Sequence, residues 1–117
     1  MKLVIRHRLP RLNEYINAER RNRFLAAKIK KDTTELVRLL SLKLPVITEP
    51  GWYTFTWHLK NARSDPDNIS FGAKFILDGL VKAGRLPNDN LKYVVAIDHR
   101  FVVGTEDKVV VEITPVE

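Results

Sequence analysis

The sequence contains no cysteine in 117 residues. This excludes a disulfide framework and a thiolate zinc site, and it fits the cytoplasmic location that we expect. No apolar run approaches the roughly 18 residues that a membrane-spanning helix needs, so no membrane partner is predicted. The first residues, MKLVIRHRLPRL, have a short apolar part interrupted by arginines, so we expect no signal peptide.

Length and composition are those of a small globular protein. Hydrophobic residues make up 44% of the chain, enough for a core that needs no disulfide or metal support. No internal repeat, low-complexity segment or long linker divides the sequence. We therefore predict a single domain over residues 1–117.

Positive charge is concentrated in the first part of the chain. Residues 1–43 contain 12 Lys and Arg against 4 Asp and Glu, a net charge of +8, whereas residues 44–117 carry a net charge of −2. The asymmetry favours contact with nucleic-acid phosphates; the alternative is that these side chains only solvate a helix. The predicted DNA-binding residues are Arg6, Arg8, Arg11, Arg20, Arg21, Arg23, Lys28 and Lys31.

Strands are predicted where apolar residues alternate with polar ones or where β-branched residues run together. Residues 3–9 and 52–60 alternate with a period of two. Residues 93–103 and 108–114 are rich in valine and isoleucine and are predicted to form a hairpin. Aromatic alternation in a strand indicates a core more often than a stacking surface for bases. The residues assigned to the core are Tyr53, Phe55, Trp57 and Leu59.

Residues 11–44 are predicted to be helical. The run from Asp32 to Glu35 is typical of a capping box, so we predict one long helix with a break near residues 31–33, or two helices. The predicted apolar stripe consists of Leu25, Ile29, Leu36 and Leu40. Together the elements predict an α+β fold, a small mixed sheet of four or five strands packed with helices.

The stretch SDPDNISFGAKFILDGLVKAGRLPNDN, residues 64–90, has acidic residues at both ends of a predicted helix over residues 67–83. Asp65 and Asp67 begin it and Asp89 follows it. Carboxylates bind hard cations such as Mg²⁺, and in a basic chain they suggest metal-assisted phosphodiester chemistry. The alternative is helix punctuation, with Asp65 as N-cap and Asp67 beside the positive end of the helix dipole.

The same predicted helix is apolar around most of its circumference. A helix of this kind is usually buried on two sides. In so small a protein we expect the second side, around Phe71, Phe75 and Gly79, to contact a partner subunit. Gly72 and Gly79 stack at i, i+7 and would let another backbone approach closely.

The pattern resembles the RusA family of Holliday-junction resolvases, which includes phage-encoded members. The family carries D-x-D-N at the start of a helix, D-x-L near its end and a further acid after a short loop. The matching residues are Asp65-Pro66-Asp67-Asn68, Asp78-Gly79-Leu80 and Asp89. One departure is that Phe71 occupies the usual position of a family lysine, and the nearest lysine is Lys74.

The resemblance implies a homodimeric, Mg²⁺-dependent crossover junction endodeoxyribonuclease that nicks branched, four-way DNA in recombination and repair, with Mn²⁺ as the alternative ion. Asp65, Asp67 and Asp89 would bind the metal. Lys74 would stabilise the developing oxyanion; its alternative role is an i, i+4 pair with Asp78. Two rival functions stay open: a nuclease selective for flaps or other branched DNA, and a catalytically silent nucleic-acid-binding protein.

Overall fold

The structure is a computed structural model that describes residues 1–116. It confirms the predicted α+β class: a four-stranded mixed sheet is packed with helices. No helix in the described part of the chain combines the length and apolarity needed to cross a membrane. The elements are β1 (Lys2–Ile5), α1 (Leu12–Arg21), α2 (Arg23–Ser41), β2 (Gly51–Leu59), α3 (Pro66–Ser70), α4 (Ala73–Lys82), β3 (Val94–Val103) and β4 (Lys108–Pro115).

The sheet has the order β1-β4-β2-β3. Strand β4 is antiparallel to both of its neighbours, whereas β3 pairs with β2 and runs parallel to it. Parallel neighbours need a crossover connection, and here α3 and α4 supply it. The chain from β2 to β3 is therefore a βαβ unit, with Asp65 and Asp67 at the start of its helical part and Asp89 beyond the end.

The predicted hairpin of the last two strands is wrong. Strand β2 lies between β3 and β4, so the short connection from Gly104 to Asp107 crosses the end of β2. Gly104 N donates to Leu59 O at 2.7 Å, and Asp107 Oδ1 accepts from Lys60 N at 3.2 Å. These bonds fix the crossing. The β-branched runs predicted both strands correctly but carried no information on their order.

The core lies where the alternation of β2 placed it. Tyr53, Phe55, Trp57 and Leu59 are at most 6% exposed, whereas Trp52 on the opposite face is 52% exposed. The side chains that pack on this face from the crossover are Ile69, Ala73, Ile76 and Leu80. The assignment of the aromatic residues to the core is confirmed.

Strand β1 is shorter than predicted. It ends at Ile5, although the alternation continues to Leu9. Its pairing with β4 runs from Lys2 opposite Glu112 to Ile5 opposite Val109, next to the start of β4. Strand β1 ends where its partner strand β4 begins. The pattern of residues 3–9 alone contains no information on where β4 begins.

The N-terminal helical region is two helices, but they meet at Asn22 rather than near residues 31–33. Asn22 has an extended backbone, and its Oδ1 accepts from Phe24 N at 2.8 Å, capping α2. Asp32 lies inside α2 and pairs with Lys28 instead of capping a helix. The predicted stripe is also displaced, since the buried positions of α2 are Ala26, Thr33, Thr34, Val37 and Ser41.

The central helix is also divided, with Phe71 and Gly72 between α3 and α4. Both residues keep right-handed helical angles, so the segment bends without ending. Gly72 lies against the ring of Trp57, where an added Cβ would come within 3.0 Å. Gly84 has a φ of 69° and ends the segment as predicted.

The predicted subunit contact on the second apolar side of this helix is wrong, because the same chain covers that side. Phe71 and Phe75 pack on Tyr15 of α1, with ring centroids 5.5 and 6.0 Å apart. Gly79 faces α2 so closely that an added Cβ would lie 2.5 Å from Val37 Cβ. The glycines do admit a close neighbour, but that neighbour belongs to the same chain.

Candidate metal and nucleic-acid site

Asp65 and Asp67 lie at the start of α3, shortly after the C-terminal end of β2. Asp65 occupies the N-cap position, but its carboxylate makes no capping hydrogen bond. The Asp67 carboxylate accepts from the adjacent Asn68 N at 3.0 Å. Both side chains are exposed. The capping alternative therefore accounts for the backbone at this turn and leaves the carboxylates open to a ligand.

The start of α1 holds the backbone on either side of these aspartates. Arg11 Nη1 donates to Ser64 Oγ at 2.6 Å, and the Arg11 side chain is only 15% exposed. Asn13 N donates to Asn68 Oδ1 at 2.9 Å. Ser64 precedes the pattern and Asn68 belongs to it, so these bonds fix the turn from both sides. Arg11, predicted to bind DNA, thus has a positioning contact that the sequence did not reveal.

Asp89 lies in a cleft of about 390 Å³ between α2 and α4. The side chains of Asn88 and Asn90 hold the local turn by accepting from backbone N–H groups, each at 3.1 Å. The Thr34 hydroxyl at the cleft is buried and has no hydrogen-bond partner in residues 1–116. The charged lining residues are Lys30, Lys31, Lys82, Asp78 and Asp89.

A single chain does not bring the three predicted metal ligands together. Asp65 and Asp67 lie at the start of α3, whereas Asp89 lies at the cleft with Asp78 and Lys82 of α4. Ligand oxygens of one Mg²⁺ lie about 2.1 Å from the ion. Accordingly, residues 1–116 contain no group of three or more His, Asp or Glu that could hold a metal. The carboxylates suit Mg²⁺ chemically, but the described residues of one chain do not gather all three into one site.

Lys74 makes the structural pair that was its alternative role. Its Nζ lies 3.8 Å from Asp78 Oδ2, and its side chain is 56% exposed. An exposed i, i+4 pair stabilises a helix by only about 0.2–0.5 kcal/mol. A pair this weak leaves the Lys74 side chain able to reach other groups. The catalytic role of Lys74 stays a prediction.

The structure divides the predicted DNA-binding residues into two groups. Besides Arg11, the engaged residues are Arg6, Arg8 and Lys28, which pair with Glu106, Glu14 and Asp32. The remaining four, Arg20, Arg21, Arg23 and Lys31, are exposed and make no ion pair within the described residues. The Arg23 guanidinium lies 5.1 Å from the centre of the Phe24 ring.

The predicted DNA-binding residues without an acidic partner therefore lie around the α1–α2 junction and along α2 toward the cleft. Lys30 and Lys82 belong to this surface, and sequence reasoning did not assign them. No spacing in the sequence relates Lys82 to α2, because only the packing of α4 on α2 brings the lysines to one cleft. This positively charged surface leads to the cleft at Asp89.

The chain matches no protein-family model and no curated protein. The resemblance to the RusA family accordingly rests on the pattern of residues 65–89.

Proposed function

We propose that this protein is a Mg²⁺-dependent endodeoxyribonuclease that resolves four-way DNA junctions by paired nicks. The observation that supports this most directly is that Asp65, Asp67 and Asp89 all keep exposed carboxylates. If Asp65 served only as a helix cap, its carboxylate would accept a capping hydrogen bond, and it accepts none. Exposed carboxylate oxygens are the ligands that Mg²⁺ takes in proteins.

The chemistry supplied by bound Mg²⁺ is the activation of a water molecule and the neutralisation of charge at the phosphate. Asp65, Asp67 and Asp89 would provide the oxygen ligands, and Arg11 with Ser64 keeps the turn before Asp65 in place. Lys74, after leaving Asp78, is the candidate to stabilise the developing oxyanion. Lysines beside Asp89 hold the flanking phosphates without reading the base sequence.

Substrate choice separates the proposed function from its two rivals. The experiment is incubation of the protein with labelled four-way junction, flap and duplex DNA, with and without Mg²⁺. Paired nicks in the junction alone support the proposal. Preferential cutting of flaps supports the branched-DNA nuclease, and binding without cutting in any metal supports the silent binding protein.

Binding should weaken with salt in proportion to the number of phosphates held. Replacement of Arg20, Arg21 and Arg23 with alanine is expected to reduce the slope of log K against log salt by up to about 2.7, since each duplex-phosphate contact contributes roughly 0.9. The measurement is a titration of junction DNA at several salt concentrations.

The matched control for that triple variant replaces Arg6, Arg8 and Lys28, which removes the same charge from residues already paired within the chain. We expect this control to change the slope less. Equal slopes for the two triple variants would place the DNA away from the α1–α2 junction.

Lys74→Met tests the oxyanion role, because methionine keeps the stem and removes the charge. We expect a single-turnover rate at least tenfold lower, equivalent to about 1.4 kcal/mol in the barrier, with junction binding unchanged. Lys74→Arg, which keeps a cation, should retain more activity. A wild-type rate for Lys74→Met would leave the lysine with only its pair to Asp78.

A further inference from the structure

Phe24, at the start of α2, is an aromatic residue that the described chain leaves in solvent. It is 70% exposed, whereas Trp52 is 52% and Phe101 36% exposed. A single exposed apolar side chain is ordinary on a protein surface and by itself indicates no site. Phe24 is set apart by the charge around it, by the cation beside its ring and by the fixed backbone that carries it.

The surface around Phe24 is strongly positive. Residues 19–31 contain six Lys and Arg and a single acidic residue, so the net charge of this run is +5. Three of these cations lie within four residues of Phe24, are exposed and make no ion pair within residues 1–116. They are Arg20, Arg21 and Arg23. A ligand that covers the ring would therefore be stabilised by negative charge close to its apolar part.

The guanidinium of Arg23 lies over the ring of Phe24, 5.1 Å from its centre. A cation at this distance is attracted by the negative face of an aromatic ring. Arg23 takes one face of the ring, and the high exposure of Phe24 leaves the other face open to a planar group. Nucleobases stack both on aromatic side chains and on guanidinium planes, so each member of this pair suits a base.

The backbone of Phe24 is fixed before any ligand arrives. Asn22 caps α2, and its Oδ1 accepts from Phe24 N at 2.8 Å. The carbonyl oxygen of Asn22 accepts from Leu25 N at 3.1 Å and from Ala26 N at 3.3 Å, and Ala26 is buried. The ring therefore projects from an ordered turn. A ligand that stacks on it has only the side chain to immobilise, which keeps the entropic cost of binding small.

We propose that Phe24 stacks on the face of a DNA base that no neighbouring base pair covers, while the three arginines around it hold the adjacent phosphates. A flat, largely apolar group flanked by negative charge is the chemistry of a nucleotide. In a continuous duplex the next base pair covers each base face, whereas faces are open at a branch point and in a single strand. The proposal names the feature by which branched DNA is distinguished from duplex, and it rests on the proposed function for the choice of DNA.

Helix α1 connects this stacking site to the acidic turn. Near its start, Asn13 N donates to Asn68 Oδ1 beside Asp67, and Phe24 follows shortly after its end. The ten residues of α1 are about 15 Å long, roughly four phosphate spacings along one DNA strand. One DNA molecule is therefore long enough to contact both Phe24 and Asp67.

Phe24→Ala is expected to weaken binding of a four-way junction and of a single-stranded oligonucleotide by roughly 5- to 100-fold, as for the loss of one stacked base. Binding is measured by fluorescence anisotropy of labelled DNA in EDTA, so that no cleavage intervenes. Affinity for relaxed, covalently closed circular duplex, which has no ends, should not change. Phe24→Trp keeps an aromatic ring and should bind all three DNAs like the wild type.

Leu39→Ala is the matched control, because it removes another exposed apolar side chain from the same helix, far from the three arginines. Its affinities should equal those of the wild type. If Phe24→Ala bound the junction and the single strand as tightly as the wild type, the proposal would be overturned. An equal loss of affinity for the closed duplex would overturn it as well.

Abasic DNA separates stacking from phosphate contacts. An oligonucleotide that keeps the sugar–phosphate backbone and lacks the bases retains every phosphate but offers nothing to stack. Phe24→Ala should bind this strand as tightly as the wild type does, so the effect of the substitution depends on the presence of the bases. A loss of affinity as large as that for the intact strand would show that the ring contacts something other than bases, against the proposal.

The fluorescence of Phe24→Trp reports the contact directly. The native Trp52 and Trp57 give a background that is measured in the wild type. A base stacked on the added indole should quench its emission, and both single-stranded and junction DNA should produce this effect. The abasic strand should not. Unquenched emission of the added indole at saturating junction DNA would contradict stacking.

An exposed aromatic side chain among cations is also found in proteins that bind anionic membrane surfaces. Sedimentation with vesicles of phosphatidylcholine and phosphatidylserine tests this alternative. We expect Phe24→Ala and the wild type to behave alike with vesicles. Loss of vesicle binding by Phe24→Ala, with its DNA affinities unchanged, would assign the ring to lipid and overturn the proposal.

Failure of the stacking site and failure of the proposed function have different signatures. If Phe24→Ala binds and cuts four-way junctions like the wild type, the stacking site is wrong and the nuclease proposal stands. If the wild type shows affinity for junction and single strand that depends on Phe24, but cuts neither in Mg²⁺ nor in Mn²⁺, the stacking site stands and the nuclease proposal does not.

Discussion

Asp67→Asn is expected to lower junction cleavage by about three orders of magnitude or more, equivalent to at least ~4 kcal/mol in the barrier. The substitution removes the negative charge that a Mg²⁺ ligand supplies. Folding should be unaffected, because the Asp67 side chain is exposed and accepts only from the adjacent Asn68 N–H among the described residues. An asparagine oxygen accepts the same bond.

The measurement is a single-turnover rate on labelled four-way junction DNA at saturating enzyme and Mg²⁺. Junction affinity and far-UV circular dichroism should match the wild type. Asp32→Asn is the matched control, since it removes an exposed carboxylate of α2 that pairs with Lys28. Wild-type cleavage by Asp67→Asn would remove this residue from the metal site, whereas loss of cleavage by the control would indicate an effect of net charge.

Local periodicity predicted most of the elements of this fold. The alternation of residues 52–60 identified both the strand and its buried side, and the turn residue Gly84 marked the end of the central helix. These features depend on residues close together in sequence. The order of β3 and β4 does not, because it is decided by β2 entering between them. No pattern within either strand records that insertion.

Burial of helix faces was predicted less well because it depends on what lies opposite. The large residues Leu25 and Leu36 suggested the buried stripe of α2, but the face that meets α4 carries smaller residues such as Ala26 and Val37. Gly79 allows the close approach that makes small residues fit there. The sequence showed a glycine suited to a close neighbour and gave no means of telling a second subunit from α2.

The candidate site shows the same division between local and distant information. The turn that presents Asp65 and Asp67 was predictable from Asp-Pro-Asp-Asn. The pattern also predicted that Asp89 joins these two acids at one metal site, and the described residues do not form such a group. What the sequence could not supply was the cleft around Asp89, where α2 and α4 bring their lysines together.

Gly79→Ala is expected to destabilise the fold by about 2 kcal/mol, the second large effect that the structure predicts. An alanine Cβ would lie 2.5 Å from both Cβ and Cγ1 of Val37, and 3.1 Å from the Thr34 carbonyl oxygen. Overpacking of this kind costs roughly 1–3 kcal/mol, occasionally more. The better helix propensity of alanine offsets up to about 1 kcal/mol of that cost.

A loss of this size should lower the melting temperature by about 8 °C in a chain of this length, measured by calorimetry or circular dichroism. Gly104→Ala is the control, because an added Cβ there meets nothing within 4 Å. Val37→Ala combined with Gly79→Ala should recover part of the loss, since Val37→Ala removes the Cγ1 methyl group that clashes and keeps Cβ. The double-mutant cycle measures that coupling. Additive effects of the two substitutions, or a Gly79→Ala variant as stable as the wild type, would show that α2 and α4 do not meet as closely as Val37 and Gly79 indicate.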